Sequence, residues 1–249
     1  MSDQPNSAAA AQPALALPEA IHDNSQEVLV AVASDPALNE ELALALLKRN
    51  DLPGEVLEKL SKNGSAMKSR KVKLALVEHP KTPRHVSVPM VRHLFNFDLM
   101  QVALTPVVPA DVKAVADEAL LNRMETISSG ERLSLAHRAS GRVAGELLVD
   151  GETRVIHAAL ENSRLTEAGV VKAVLRSDAP VLLIQAVSHH SKWSLRREVR
   201  VALLRNQHTP MARAVEFARS LPAPLVREVL HGSRLPANVK EYLLKAIAS

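Results

Sequence analysis

Along most of the chain, apolar residues recur at three- and four-residue spacing for one short stretch, stop at a polar break, and resume. Val170, Ala173 and Val174 form one such set, Leu195, Val199, Ala202 and Leu203 a second, and Val239, Tyr242, Leu243 and Ala246 a third. That spacing puts each set on one face of a helix. The breaks repeat a formula: VEHPKTPRHVSVPMVRHL from Val77, ALENSRLTEAGVVKAVLRS from Ala159, RNQHTPMARAVEFAR from Arg205, LHGSRLPANVKEYLLKA from Leu230 and ASDPALNEELALALLKR from Ala33. Each reads as an apolar helix end, a polar break, then Thr-Pro, Leu-Thr or Leu-Pro (Asp-Pro in the last), then a new apolar helix. The prolines are therefore expected to open helices: Thr82, Thr209 and Asp35 supply an N-cap oxygen, and Pro83, Pro210 and Pro36 take the first helical position. Pro53, Pro109, Pro222 and Pro236 stand at similar breaks.

Helices of roughly eight to fourteen residues are marginal alone in water, so they must stack on one another. About fourteen to sixteen are expected by this reading. Breaks fall about 43 residues apart from Thr166 to Thr209 and about 47 apart from Asp35 to Thr82, with shorter intervals near 25, which suits a degenerate helical array. Residues 110–125 carry the longest uninterrupted helical pattern, and Ser128 with Glu131 offers a capping box. The fold expected is all-α, an α-solenoid (superhelix) of stacked short helical pairs over residues 25–249, with a hinge conceivable near 126–131. Residues 1–24, rich in Ala and Pro, read as a flexible acidic tail.

Composition sharpens this picture. Hydrophobic residues make up 47% of the 249 positions while aromatics make up 2%, a balance carried by Ala, Val and Leu that suits packed helices better than β-sandwiches. The absence of cysteine removes disulfides, thiolate metal sites and a Cys nucleophile. The opening residues carry no Lys or Arg before an apolar run, and that run is broken by Pro13 and Pro18, so neither a secretory signal nor a membrane span is expected; a cytoplasmic protein is.

The stretch Arg132–Leu175, with its Ala-rich helices, polar turns and Leu-Thr restart, resembles the bacterial leucine-rich-repeat-variant and HEAT-like families. The likeness is strongest over Ala158–Leu175 and Leu203–Ala218, weaker over Leu74–Leu94 and Leu29–Leu47, and covers most of the chain after about residue 25. It implies a stacked helical fold and says little about function. Some variant-repeat proteins carry a Cys-ligated cluster, which a cysteine-free chain does not share.

Candidate chemistry is sparse. Nucleotide-binding glycine motifs, the nucleophile elbow and the H-E-x-x-H zinc motif are all missing. His79, His85 and His93, and the adjacent His189 and His190, are the groupings to weigh for a metal, and their spacing favours helix-end roles. Glu40-Glu41 and Asp117-Glu118 are side by side on helices and diverge, which does not suit paired acid–base work. Asn63-Gly64-Ser65 has the form of a glycosylation sequon and reads as a turn. No enzyme and no cofactor are expected.

Charge is the better lead. Net charge is −7 over residues 1–47, +6 over 48–100, −2 over 101–190 and +7 over 191–249. One basic cluster comprises Lys68, Arg70, Lys71 and Lys73; the second comprises Lys192, Arg196, Arg197, Arg200 and Arg205, with the single tryptophan, Trp193, beside it as an interface anchor or a core plug. Ser194 is expected to cap the helix of the second cluster. The general plan also resembles the HEAT-like DNA glycosylases, which hold duplex DNA in a basic groove, but the aromatic and carboxylate positions of their chemistry have no counterpart here. The function expected is a non-enzymatic protein-interaction scaffold that binds a partner, acidic in character, on its concave face. The alternative is a sequence-nonspecific nucleic-acid binder using clusters 68–73 and 192–205.

Overall fold

The computed structural model describes residues 16–248. Among the described residues there are seventeen α-helices, two 3₁₀ turns and no strand. The helices are α1 (Leu17–Ala20), α2 (Gln26–Ser34), α3 (Glu40–Leu47), α4 (Gly54–Lys62), α5 (Arg70–Glu78), α6 (Arg84–Val91), α7 (Asn96–Leu104), α8 (Ala110–Leu121) and α9 (Ser129–Arg138). They continue with α10 (Gly141–Leu147), α11 (Thr153–Leu160), α12 (Glu167–Val174), α13 (Val181–His189), α14 (Arg197–Arg205), α15 (Met211–Arg219), α16 (Ala223–His231) and α17 (Ala237–Ala246). The 3₁₀ turns, Ala66–Lys68 and Trp193–Leu195, precede α5 and α14. None of these helices is long and apolar enough to cross a membrane.

The described residues form two compact units, one of 16–94 with 105–112, the other of 95–104 with 113–248. Residues 126–131, weighed as a hinge against continuous stacking, lie inside the second unit. There Ser128 does form the capping box with Glu131, and Ile127 is buried. In each unit the helices pack in chain order and also on the next-but-one helix. α2 lies on α4 and α3 on α5 in the first; α9 on α11, α10 on α12, α11 on α13, α12 on α14 and α14 on α16 in the second. This two-row stacking is how an α-solenoid buries one apolar face per short helix.

The spacing differs from the one read off the breaks. α2, α3 and α4 start at Gln26, Glu40 and Gly54, one helix every 14 residues, so the intervals of 43 and 47 span three helices and not a pair. A longer period emerges. The eight elements starting at 26, 40, 54, 66, 70, 84, 96 and 110 recur, each 127 residues later, at 153, 167, 181, 193, 197, 211, 223 and 237. Residues coincide at the same offset: Arg49 with Arg176, Asp51 with Asp178, Pro53 with Pro180, Leu76 with Leu203, Thr82 with Thr209 and Pro83 with Pro210. So do bonds. Arg49 pairs with Asp51 at 2.7 Å and Arg176 with Asp178 at 2.8 Å; Thr82 Oγ1 donates to Leu76 O and Thr209 Oγ1 to Leu203 O, both at 2.6 Å. The chain holds an internal duplication.

Those threonine bonds correct the capping scheme. Thr82 and Thr209 finish the preceding helix by donating to one of its last carbonyls, and the proline itself is the N-cap of the next, its ψ of 144° or 130° extended while its carbonyl accepts the first helical bond. Pro53, Pro180, Pro222 and Pro236 do the same. Asp35 opens no helix: its Oδ1 accepts from Ala37 N at 2.7 Å, and α3 is capped by Asn39, whose Oδ1 accepts from Leu42 N at 2.9 Å. At the N-terminal end, residues 1–15 of the expected tail lie outside the described residues, but Leu17–Ala20 is helical, with Ala20 and Ile21 buried in the first unit's core. Arg49 reaches back to the Ile21 and Asp23 carbonyls at 2.9 and 2.6 Å and ties this segment down.

Candidate basic docking surfaces

The two basic clusters stand at equivalent places in the duplication: Arg70, Lys71 and Lys73 map onto Arg197, Glu198 and Arg200, at the start of α5 and of α14. Positive charge in a first turn opposes the helix dipole, so the fold gains nothing from it there. The clusters lie in different units.

In the first unit Lys68, Arg70, Lys71 and Lys73 are all exposed. Lys71 is committed to Glu40 at 3.2 Å. Glu40 is held below the usual carboxylate range by hydrogen bonding to Ser69 and then to Lys71. α5 is capped by Ser69, whose Oγ accepts from Val72 N at 3.3 Å.

The equivalent cap is missing from the second unit, where Arg196 occupies the N-cap of α14 and Ser194 is buried inside the 3₁₀ turn. Because the turn redirects the chain there, Leu195 leaves the stripe expected for it and is 66% exposed. Trp193 goes the other way: at 2% exposure it is core, and its indole N–H donates to Leu160 O at 2.9 Å. Its reading as an exposed anchor is thereby corrected in favour of the plug. Lys192 Nζ lies 4.0 Å from the indole centroid. Arg200 is also structural, donating to Ser194 O at 2.7 Å and Ser220 Oγ at 2.9 Å beside the buried Phe217 ring. Arg196 and Arg205 are exposed and have no salt bridge among the described residues; Arg197 comes within 3.9 Å only of its neighbour Glu198. The surface left for a partner is thus Lys192, Leu195, Arg196, Arg197 and Arg205.

Several of the histidines and carboxylates weighed for chemistry have structural partners. Among the described residues no cluster of His, Asp and Glu could hold a metal ion. His79 is buried; its Nδ1 accepts from Lys81 N at 3.2 Å, which leaves the ring proton on Nε2 to donate to Arg49 O at 2.9 Å. His190 Nδ1 likewise accepts from Lys192 N at 3.1 Å, and its Nε2 sits 3.2 Å from Glu161 without hydrogen-bond alignment. His189 caps its own helix through Gln185 O at 2.9 Å. His85 faces Glu58 at 3.5 Å. Asp117 is buried against Ser140, whose hydroxyl donates to it at 2.8 Å, and burial raises its pKa, while Glu118 is exposed. Asn63 is buried too: its amide donates to Ala33 O and Asp35 O at 3.0 and 2.8 Å, so the sequon asparagine is a structural strut.

That strut belongs to a ladder that the polar turns only hinted at. Asn63, His79, Asn162 and Asn206 each end a helix, each accepts the N–H two residues on, and each donates to a helix-end carbonyl 23 to 32 residues back. Aligning the chain on itself at 127 residues brings Asn63 to His190 and His79 to Asn206, and would have shown the ladder from sequence.

The second unit also contains grooves that no sequence pattern marked. A groove of about 550 Å³ is lined by Leu175, Arg176, Arg205, His208, Gly232 and Arg234. A cleft of about 260 Å³, lined by Leu203, Met211, Leu235, Val239 and Leu243, shares the loop Asn206-Gln207-His208 with it. Between α10 and α12, Gly141, Gly145 and Gly169 line a further groove of about 450 Å³ with Arg142 and Lys172. Comparison with protein-family models, with curated proteins and with solved structures finds no match to this chain.

Proposed function

We propose that the chain is a non-enzymatic, cytoplasmic docking module that receives an acidic partner protein on its second unit. Kinship with the variant leucine-rich-repeat and HEAT-like arrays belongs to the same proposal and rests on the turn pattern. The observation that carries the reading is Leu195. A leucine 66% exposed, flanked in sequence by Lys192 and Arg196 while the neighbouring indole is buried, offers an apolar contact next to cations. Burying it against an apolar group of a partner removes that surface from water, and the arginines beside it are of the residue type enriched at interfaces. Lys192 is held over Trp193 and so is partly ordered before a partner arrives, which lowers the entropy cost of binding.

A second reading is favoured by the recurrence of basic residues at the start of both α5 and α14, which suits phosphate contacts. Burial of Trp193 removes the aromatic side chain nearest those cations as a platform for stacked bases. The deciding experiment titrates the full chain with a labelled acidic, leucine-containing peptide and with labelled DNA and RNA duplexes over about 50 to 200 mM salt. Docking predicts peptide binding that persists at the higher salt and weakens at least tenfold in Leu195→Asp. Duplex binding that collapses with salt and depends on Arg196 and Arg197 but not on Leu195 would replace it with the nucleic-acid reading. Binding to none of the three would overturn both.

A further inference from the structure

The duplication supplies an internal control on what the fold requires. At the places of Arg205, Gly232 and Arg234 in the second copy, the first has Glu78, Thr105 and Val107. There Thr105 Oγ1 donates to Glu78 at 2.9 Å, a carboxylate–hydroxyl pair across the position of the groove. In the second copy the acid has become an arginine, the threonine a glycine with no side chain, and the valine a second arginine. The cleft beside it has changed in the same sense. In the first copy Arg84 bridges to Asp111 at 2.6 Å; their counterparts are Met211 and Asn238, and Met211 lines the apolar cleft.

The same helical plan is therefore satisfied with the groove bridged in one copy and open, basic and backed by apolar side chains in the other. Arg205 and Arg234 are exposed and have no salt bridge among the described residues. Arg176, which also lines the groove, is neutralised by Asp178 and Glu146 at 2.8 and 3.0 Å, so the field of the groove comes from Arg205 and Arg234, with His208 between groove and cleft.

We infer that the α12–α14–α16 groove, with the cleft behind the Asn206–His208 loop, is a peptide site that binds an acidic segment of a partner protein, carboxylates against Arg205 and Arg234 and an apolar side chain in the cleft lined by Leu203, Met211 and Leu243. This rests on the docking reading above and places the recognition of sequence in a groove separate from Leu195. Charge complementarity selects the occupant: two arginines without carboxylate partners among the described residues favour an anion, and the adjoining apolar cleft favours one that carries a hydrophobic neighbour.

The test is selection from a random peptide-display library on the immobilised full chain, followed by affinities of the enriched peptides for three proteins. These are the unmodified chain, Arg205→Glu/Arg234→Val, which restores the first copy's residues, and Leu195→Asp/Arg196→Glu. The expected result is enrichment of peptides pairing Asp or Glu with Leu, Ile or Phe, and affinity lowered at least tenfold by the groove variant while its unfolding midpoint is unchanged. Peptides that bind equally well to the groove variant and are lost only on the Leu195→Asp/Arg196→Glu protein would overturn this site and leave the docking reading standing. A library that yields no enriched peptide, or yields basic or neutral ones, would overturn both.

Discussion

Asn162 is buried at the end of α11 with every polar atom of its side chain engaged. Its amide donates to Ala136 O at 2.8 Å and Ala139 O at 3.2 Å, and its oxygen accepts from Arg164 N at 2.8 Å. Burying an amide is worthwhile only because these bonds replace water, and removing it takes from the Ala136 and Ala139 carbonyls the donor that Asn162 supplies. Asn162→Ala is expected to cost about 2–4 kcal/mol, read from the urea midpoint by Trp193 fluorescence. Asn206→Ala, whose residue is only half-buried, should cost less. Asp117 behaves in the opposite sense. Burial raises its pKa above the unfolded value, so the contribution of its protonated form is present at low pH and is lost as pH rises through the folded pKa. Asp117→Asn keeps an acceptor for the Ser140 hydroxyl and removes the titration; it should gain up to about 1 kcal/mol at neutral pH, with no gain at acid pH. The carboxylates of Asp51, held at about 2 chiefly by hydrogen bonding to Arg49, and of Glu146, lowered by Lys172, have depressed values, and their stabilisation is lost as pH falls. The pH–stability curve of Asp117→Asn relative to the unmodified protein should therefore separate above the usual carboxylate range and converge below it.

At the scale of the helix, the closest constraint is Gly141, the first residue of α10. A Cβ there would lie 2.2 Å from the Arg164 carbonyl oxygen, a backbone atom that cannot rotate away, whereas one at Gly151 would meet nothing within 4 Å. Gly141→Ala is expected to lose roughly 1–3 kcal/mol by forcing α10 off the α11–α12 turn, and Gly151→Ala to change little; thermal unfolding of the pair reads the difference. How much of the helical plan was legible follows from the same physics. Apolar spacing located the helices, because burial of one face is what stabilises them, and the Ser128–Glu131 box was visible because both partners lie within four residues. The threonines before Pro83 and Pro210 were assigned to the wrong helix, since a hydroxyl six residues from its acceptor is invisible to a local capping rule. Ser194 is illegible as a turn residue for a related reason: the 3₁₀ turn that buries Trp193 and exposes Leu195 is marked by no local motif, and only its recurrence at Ala66–Lys68 in the first copy points to it.

Over the whole molecule, charge clusters were legible as composition, but which cations are free was not. Arg200 turned out to brace Ser194 and Ser220, Lys71 pairs with Glu40, and Arg234, absent from either cluster, lines the basic groove. Only the duplication separates cations that the fold uses from those it tolerates, because one copy shows what the helices need when the other has changed. If Arg205 and Arg234 serve a partner and not the fold, replacing them leaves stability unchanged. Urea unfolding of Arg205→Glu/Arg234→Val, followed by Trp193 fluorescence, measures this. The midpoint is expected to equal that of the unmodified chain within about 0.5 kcal/mol, as for surface substitutions that touch nothing structural. A loss of about 2 kcal/mol or more would contradict it and return both arginines to the framework of the fold.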